Sequence, residues 1–462
     1  MKTETNLGER VNNWMKHSVT LKLFSITILI LLLLIPSTMI KSIMRERESL
    51  SQEAIDEVSS KWADRQEIAG PVLTIPIIYE YKKDEDFFEE TKYWKILPES
   101  LNISGNVNPK SLRRGIYEII VYESQLTFDG TFKLEKLDSS NIKEIRFDKA
   151  FLTVGLSDLR GIKDQVSISW NDKILNVEPG TRIPELIYSG FTIDLPDIKE
   201  ITSNPLEFNF KLNFQGSQNL SFTPVGSTTK VKLNSSWESP SFNGNFLPDK
   251  RNISKDGFTA EWHILQLNRN YPQSWVGDLN LNKKNTASPY LSPTSGSTSA
   301  LHESSFGAEL ILPLGDYQKS MRSAKYAVMT IGLTFLIFFL VEILHGRKIH
   351  AFQYTLVGLS LCLFYILLIS ISEHSNFNIA YGISMFSIIT MITLYSLSVF
   401  KVKKISVLLT AVLIGIYSFL FVTLQLADYA LLMGSIGLMA ILGATMYFTR
   451  NVDWYQISAS KE

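Results

Sequence analysis

Residues 341–381 read VEILHGRKIHAFQYTLVGLSLCLFYILLISISEHSNFNIAY. They hold the end of one apolar helix, a basic turn at Arg347-Lys348, a complete second apolar helix and an acidic-histidine turn at Glu373-His374. No residue between Phe352 and Ile371 is charged. A run of roughly 20 such residues crosses a hydrocarbon core about 30 Å thick. Working outward, the same pattern predicts helices over 326–345, 352–372, 378–400, 405–426 and 430–448. A further apolar run at 23–40 follows a mildly basic start with Lys2, Arg10, Lys16 and Lys22. It ends in Pro36-Ser-Thr-Met-Ile, which lacks the small-residue cleavage pattern of a signal peptide, so it reads as a retained anchor. The expectation is a bundle of six transmembrane helices: one at 20–40 and five within 326–449.

Short-loop charge orients the bundle. Arg347 and Lys348 follow the second span, and Lys401, Lys403 and Lys404 follow the fourth. The turns around Glu373 and Asp428 carry no Lys or Arg. Positive loops stay inside, so the segments 1–19 and 450–462 are expected in the cytoplasm and the 41–325 region outside. Lys41, Arg45, Arg47, Lys319, Arg322 and Lys325 run against this, but they flank a long translocated domain, where charge has less influence.

The 41–325 region is polar and aromatic. Acidic and basic residues interleave over 41–66 at helical spacing, predicting a charged stalk. Gly70-Pro71 is expected to break it. Val72 to Tyr81 is β-branched and aromatic and reads as a strand, with Pro76 arguing for a sheet edge. Short strand candidates follow at 115–122, 126–134, 151–156, 165–170, 206–214 and 230–233, separated by turn signals such as Asp129-Gly130 and Pro179-Gly180. The pattern predicts a large, mainly β domain inserted between the first and second spans. Residues 282–307 are rich in Ser, Thr, Pro and Asn and read as a loop; 306–314 reads as a last strand. The charges balance at 45 basic against 45 acidic residues, which gives no field favouring nucleic acid. The single cysteine, Cys362, excludes a disulfide framework and a thiolate metal cluster.

These residues carry a resemblance. Glu342, His350, Gln353-Tyr354, Leu356-Val357-Gly358, Phe364-Tyr365, Ser372-Glu373-His374 and Ala380-Tyr381 resemble the membrane region of the CreD family of bacterial inner-membrane proteins. So do Asp428-Tyr429-Ala430-Leu431-Leu432, Gly434-Ser435, Arg450 and Asp453-Trp454-Tyr455. The outer region is similar through Gly70-Pro71-Val72-Leu73, Arg114-Gly115-Ile116-Tyr117, the 236–242 segment SWESPSF, Phe246-Leu247-Pro248 and the 257–262 segment GFTAEW. The chain departs from the family pattern at Gly315, where an Asp is expected, and in the 282–307 loop. The resemblance implies an inner membrane protein tied to cell envelope integrity and stress response, with no established reaction.

Several polar groups at membrane depth are candidate functional residues. Glu373 and His374 could relay protons or hold a metal; adjacent residues on a helix point about 100° apart, and anchoring at the headgroup level is the plainer role. Glu342 lies inside the second span, where an ionisable group faces a partner or a functional cavity; Arg347-Lys348 is about one turn away. Asp428 suits a helix N-cap. Gly437, Ala440 and Ala444 form a small-residue stripe for helix packing within the bundle or between copies, so a homo-oligomer is compatible. No histidine set has metal-ligand spacing, and no Walker loop, GxSxG elbow or dinucleotide fingerprint is present. No catalysis, cofactor, metal or nucleic acid is expected. The expected partners are the lipid bilayer and an unidentified envelope component or protein bound by the periplasmic domain. Two rivals stand beside this: a transporter or lipid-handling protein using the intramembrane carboxylates, and a membrane-bound enzyme acting on envelope polymers.

Overall fold

The computed structural model describes residues 19–83, 86–135, 137, 141–198, 205–278, 300–310, 316–345, 349–426 and 429–450. The chain divides into two compact units, Met1–Ser51 with Leu314–Glu462, and Gln52–Pro313. The loop expected at 282–307 falls largely outside the described residues, as do Gly315, Arg347, Lys348 and Asp428.

The first unit is helical. It contains most of α1 (Val19–Trp62), then α2 (Asp316–Lys325), α3 (Ala327–His345), α4 (Ala351–Ser372), α5 (Phe377–Phe400), α6 (Lys403–Gln425) and α7 (Ala430–Thr449). Among the described residues, five helices (α1, α3, α4, α5 and α6) are long and apolar enough to cross a bilayer; in α7 the apolar stretch Leu432–Tyr447 is shorter. The apolar run and the charged stalk of the sequence are one continuous helix, α1, of 44 residues. Beyond Pro36 it contains no Gly or Pro, and its Glu, Arg, Gln and Ala residues are good helix formers. It ends at Trp62, ahead of Gly70-Pro71, so that dipeptide is not its stop signal. The α2 helix is separate from α3, with a turn at Tyr326 between them. It buries Ser320, Ser323 and Ala324 on one side.

One face of α1 packs into this unit. Ile26, Leu33, Ser37, Ile40 and Met44 are buried, at spacings that keep them on a single stripe. Gly358 of α4 makes room for it: a Cβ there would collide with the Leu33 side chain and approach the Phe335 ring to 2.9 Å. The bundle centre is aromatic. The Phe364 ring of α4 sits 5.0 Å from Tyr365, 5.2 Å from Tyr381 on α5 and 4.7 Å from Tyr417 on α6. The Tyr381 hydroxyl donates to the Tyr417 carbonyl at 2.7 Å.

The second unit is mainly β, with strands numbered in chain order. Among the described residues, one sheet has eight strands in the order β15 (Lys250–Ser254), β16 (Gly257–Leu265), β13 (Thr228–Ser235), β3 (Ser100–Arg114), β4 (Tyr117–Phe132), β11 (Leu206–Ser217), β7 (Ser167–Trp170) and β8 (Lys173–Asn176). The other has ten, with the path β14 (Pro240–Gly244), β18 (Phe306–Leu310), β12 (Asn219–Phe222), β1 (Gln66–Lys83), β6 (Phe151–Leu156), β10 (Gly190–Asp194) and β9 (Glu178–Pro179). Also in it are β2 (Asp86–Ile96) and β5 (Ile142–Ile145), which pair with β1, and β17 (Ser274–Val276), which pairs with β2. Buried side chains of both sheets form one contiguous core. Strict alternation builds it: Leu206, Phe208, Phe210, Leu212 and Phe214 of β11 point inward and the residues between them outward. Phe128 and Phe210 stack at 4.5 Å.

The edge inferred from Pro76 is not there. β1 is interior, with β2 on one side and β6 and β5 on the other. Pro76 lies where the second partner changes, since β6 pairs as far as Thr74 and β5 begins at Ile77. A ladder that is already interrupted tolerates a residue with no N–H. Its carbonyl still accepts from Arg146 N at 2.9 Å. Gly70-Pro71 lies inside β1 at the register shift opposite β6, where Gly70 has φ +109°.

Candidate functional site

In the helical unit, two of the candidate carboxylates meet cations from α1. Glu342, on α3, is buried at 6% exposure. Its carboxylate accepts from the Ile349 backbone N–H at 2.9 Å and from the Tyr354 hydroxyl at 3.0 Å, and it pairs with the Lys22 ammonium of α1. Three donors, from α1, from α4 and from the turn just before α4, therefore surround one buried carboxylate, which lowers the cost of burying it. The cation that the sequence places nearby, Arg347-Lys348, lies outside the described residues; Lys22 is more than three hundred residues away in the chain. His350 caps α4: its Nδ1 accepts from Phe352 N at 3.2 Å, and Gln353 Oε1 accepts from His350 N at 3.0 Å.

Glu373 closes the other end of α4 and pairs with Arg47 of α1 at 3.4 Å. Lys22 and Arg47 are about 37 Å apart along α1 at about 1.5 Å per residue, a little more than the roughly 30 Å of a hydrocarbon core. His374 does not join this pair. It is exposed, and among the described residues its ring has no hydrogen-bond or ionic partner. At the same end Gln425 donates to the Asn378 side chain at 2.6 Å, linking α6 to α5. Asn376 caps α5 by accepting from Ile379 N at 3.0 Å.

Glu342, Glu373 and His374 therefore do not converge on one site. Glu342, on α3, lies against the start of α4 and Glu373 ends α4, and each holds a cation of α1. Among the described residues no group of three or more His, Cys, Asp or Glu side chains could hold a metal ion. In the small-residue stripe, Gly437 sits against the Phe419 ring of α6, which any side chain at 437 would strike. Ala444 lines an apolar cleft of about 280 Å³ between α3, α6 and α7, and Ala440 is exposed.

Sequence reasoning missed Lys22 and Arg47. Both looked like flanking charges of an anchor, and Arg47 also looked like an exception to the loop-charge rule. A signal exists in retrospect: two carboxylates bracket one span, and two cations bracket another at a similar separation. That signal gives no pairing until the helices are packed.

Comparison with known proteins agrees with this architecture. The family model described as Inner membrane protein CreD matches residues 18–455. The chain is 34% identical over 453 residues to the Inner membrane protein CreD of Escherichia coli (strain K12), covering 97% of this chain and 96% of that protein. A match that takes in α1, the β unit and the C-terminal helices together is one of whole architecture, and the chain belongs to the CreD family of inner membrane proteins.

Proposed function

We propose that this protein supports cell envelope integrity and the response to envelope stress as a non-enzymatic, six-span inner membrane protein. Its β domain faces the periplasm and binds an envelope component or partner, and both termini are cytoplasmic. The observation that carries this reading is the use of the membrane carboxylates. Glu342 and Glu373 are each taken up by a cation of α1, so they act as fasteners rather than as a proton or substrate path. The large β unit has its own core. The sixth span is α7, whose 20 residues reach about 30 Å. Arg47 sits on the outer side in this arrangement, and its pairing with Glu373 offsets the cost of a positive charge there.

The test is complementation of a deletion strain, scored as survival under detergent and β-lactam stress with membrane levels checked. Glu373→Ala and His374→Ala chains present at normal level should rescue, and a chain lacking 52–313 should not. A point variant that reaches the membrane at normal level and fails to rescue would sink this reading in favour of transport through the bundle.

A further inference from the structure

The cleft between α3, α6 and α7 is apolar along its length and has positive charge at one end. On α6 its wall is Leu408, Val412 and Ile416, at steps of four residues that keep them on one face. On α3 it runs from Leu333 to Leu344, and on α7 from Ile441 to Thr445. Among the described lining residues Thr445 alone is polar, and its hydroxyl donates to the Ile441 carbonyl at 2.8 Å. The wall therefore offers water no side-chain partner. Leu333, Leu336 and Ile337 are half-buried while Leu344, Leu408 and Ala444 are exposed, so the cleft opens toward the end where α3 and α7 finish and α6 begins. Lys404 stands four residues before Leu408 and continues the same face of α6, with Lys403 beside it. Both lysines are exposed and have no ionic partner among the described residues. The acidic residue on these three helices is Glu342, and Lys22 takes it up.

We propose that this cleft binds one acyl chain of an anionic phospholipid, with the headgroup phosphate held by Lys403 and Lys404. Such a site belongs to the bundle and is independent of any ligand of the β domain. Three features select the occupant. First, the wall is apolar throughout, so the cleft takes up hydrocarbon in preference to water or a polar solute. Second, its dimensions fit a single chain. The α3 wall from Leu333 to Leu344 is about 16 Å long at about 1.5 Å per residue, close to one leaflet, or half of a core about 30 Å thick. The volume of about 280 Å³ is roughly twice that of an apolar cavity of about 150 Å³ that takes up benzene, which leaves room for on the order of a dozen carbons. A transmembrane helix from a partner or a second copy is about 10 Å across and too wide for this slot. Third, the open end carries two exposed cations and no free carboxylate. Basic side chains beside a cleft between helices match a phosphate at headgroup depth. In the proposed topology this end faces the cytoplasm, so the lipid comes from the inner leaflet.

The experiment is native mass spectrometry of the full chain, delipidated in detergent and titrated with phosphatidylglycerol and phosphatidylethanolamine of matched acyl chains. Glycerol 3-phosphate serves as a headgroup without chains. The expected result is saturable binding of one lipid, with phosphatidylglycerol favoured by about ten-fold and no binding of glycerol 3-phosphate. Lys403→Gln with Lys404→Gln should bring the two lipids to within about two-fold of each other. Ala444→Phe fills the cleft and should weaken binding of both by about ten-fold. Lys319→Gln with Arg322→Gln removes two cations from α2, which lies at the opposite end of the bundle with Lys319 Nζ 5.8 Å from the Phe377 ring; it should leave the preference unchanged. Equal binding of the two lipids by the unaltered chain overturns the proposal, as does binding of glycerol 3-phosphate as tight as that of the lipid. A preference that survives the Lys403 and Lys404 changes, or is lost equally in the α2 variant, also overturns it. So does unchanged binding in Ala444→Phe. Circular dichroism checks that each variant folds, and if Ala444→Phe does not, the exposed Lys403 and Lys404 positions decide alone.

Discussion

Glu342 is where residue-level reasoning met its limit most clearly. The sequence marks it as an ionisable group inside a span, and the bundle encloses it with Lys22, Tyr354 and the Ile349 N–H. Removing the carboxylate leaves a cation and two polar hydrogens without their acceptor. Glu342→Ala should therefore lower stability on the order of 2–3 kcal/mol, less than for a fully enclosed pair because the Lys22 side chain stays 31% exposed. Replacing both members with Met should restore much of the loss, since apolar packing carries no desolvation penalty. Thermal unfolding of the purified chain in detergent reads both effects; a double variant no better than Glu342→Ala would contradict the pairing. In the β unit, His302 accompanies Glu67, with Nδ1 and Oε1 2.8 Å apart, and Glu67 also accepts from Thr223 Oγ1 at 3.0 Å. The Glu67 hydrogen bond holds the His302 imidazolium above its ordinary value of 6.5. A raised folded value means the contribution is complete below about 6.5 and is lost as pH climbs through that folded value. Melting temperature should fall over this range, and His302→Gln should flatten the dependence. An unchanged slope would exclude the contact as its source.

Elements differ in how legible they are. The apolar helices are plain because about 20 uninterrupted apolar residues have few other stable states. The strands are plain in kind, since β-branched and aromatic residues alternate with polar ones, but their neighbours are not. Pro76 shows why: proline signals a missing ladder bond, and an interior strand that changes partner supplies such a gap as well as an edge does. The α1 helix shows the converse. A change from apolar to charged composition suggested two elements, but composition sets which environment a helix tolerates, not where its backbone hydrogen bonding stops. The seating of α1 depends on Gly358 beside Leu33. Gly358→Ala should destabilise by about 1–2 kcal/mol through overpacking, and Leu33→Ala should suppress that loss by clearing the contact. Additive losses in the double variant would show that the two positions do not touch.

At the scale of the whole molecule, two units of different chemistry share one chain, and thiol labelling reads the orientation proposed for them. Tyr188 of the β unit is 89% exposed, and Lys403 begins α6 after a basic turn. With the buried Cys362 replaced by Ala, Tyr188→Cys should react with a membrane-impermeant thiol reagent in intact spheroplasts. Lys403→Cys should react only once the membrane is opened. The reverse order of labelling would invert the proposed topology. A family match over residues 18–455 makes the two units parts of one inherited design rather than a fusion of unrelated pieces.

The sequence alone determined the class of this protein: apolar helices at both ends of the chain with a β-rich region between them, and a family resemblance spread over nearly its whole length. Those features are local. Apolar run length and strand alternation are set by the medium each residue meets, and both can be read within a window of about 20 residues. Only the tertiary structure decided that Glu342 and Glu373 hold Lys22 and Arg47, that Leu33 seats against Gly358, that β1 changes partner at Pro76, and that α3, α6 and α7 line one apolar cleft. Each of those contacts joins residues far apart in the chain. Electrostatic pairing, close packing and strand register depend on distance in space, which local sequence does not encode.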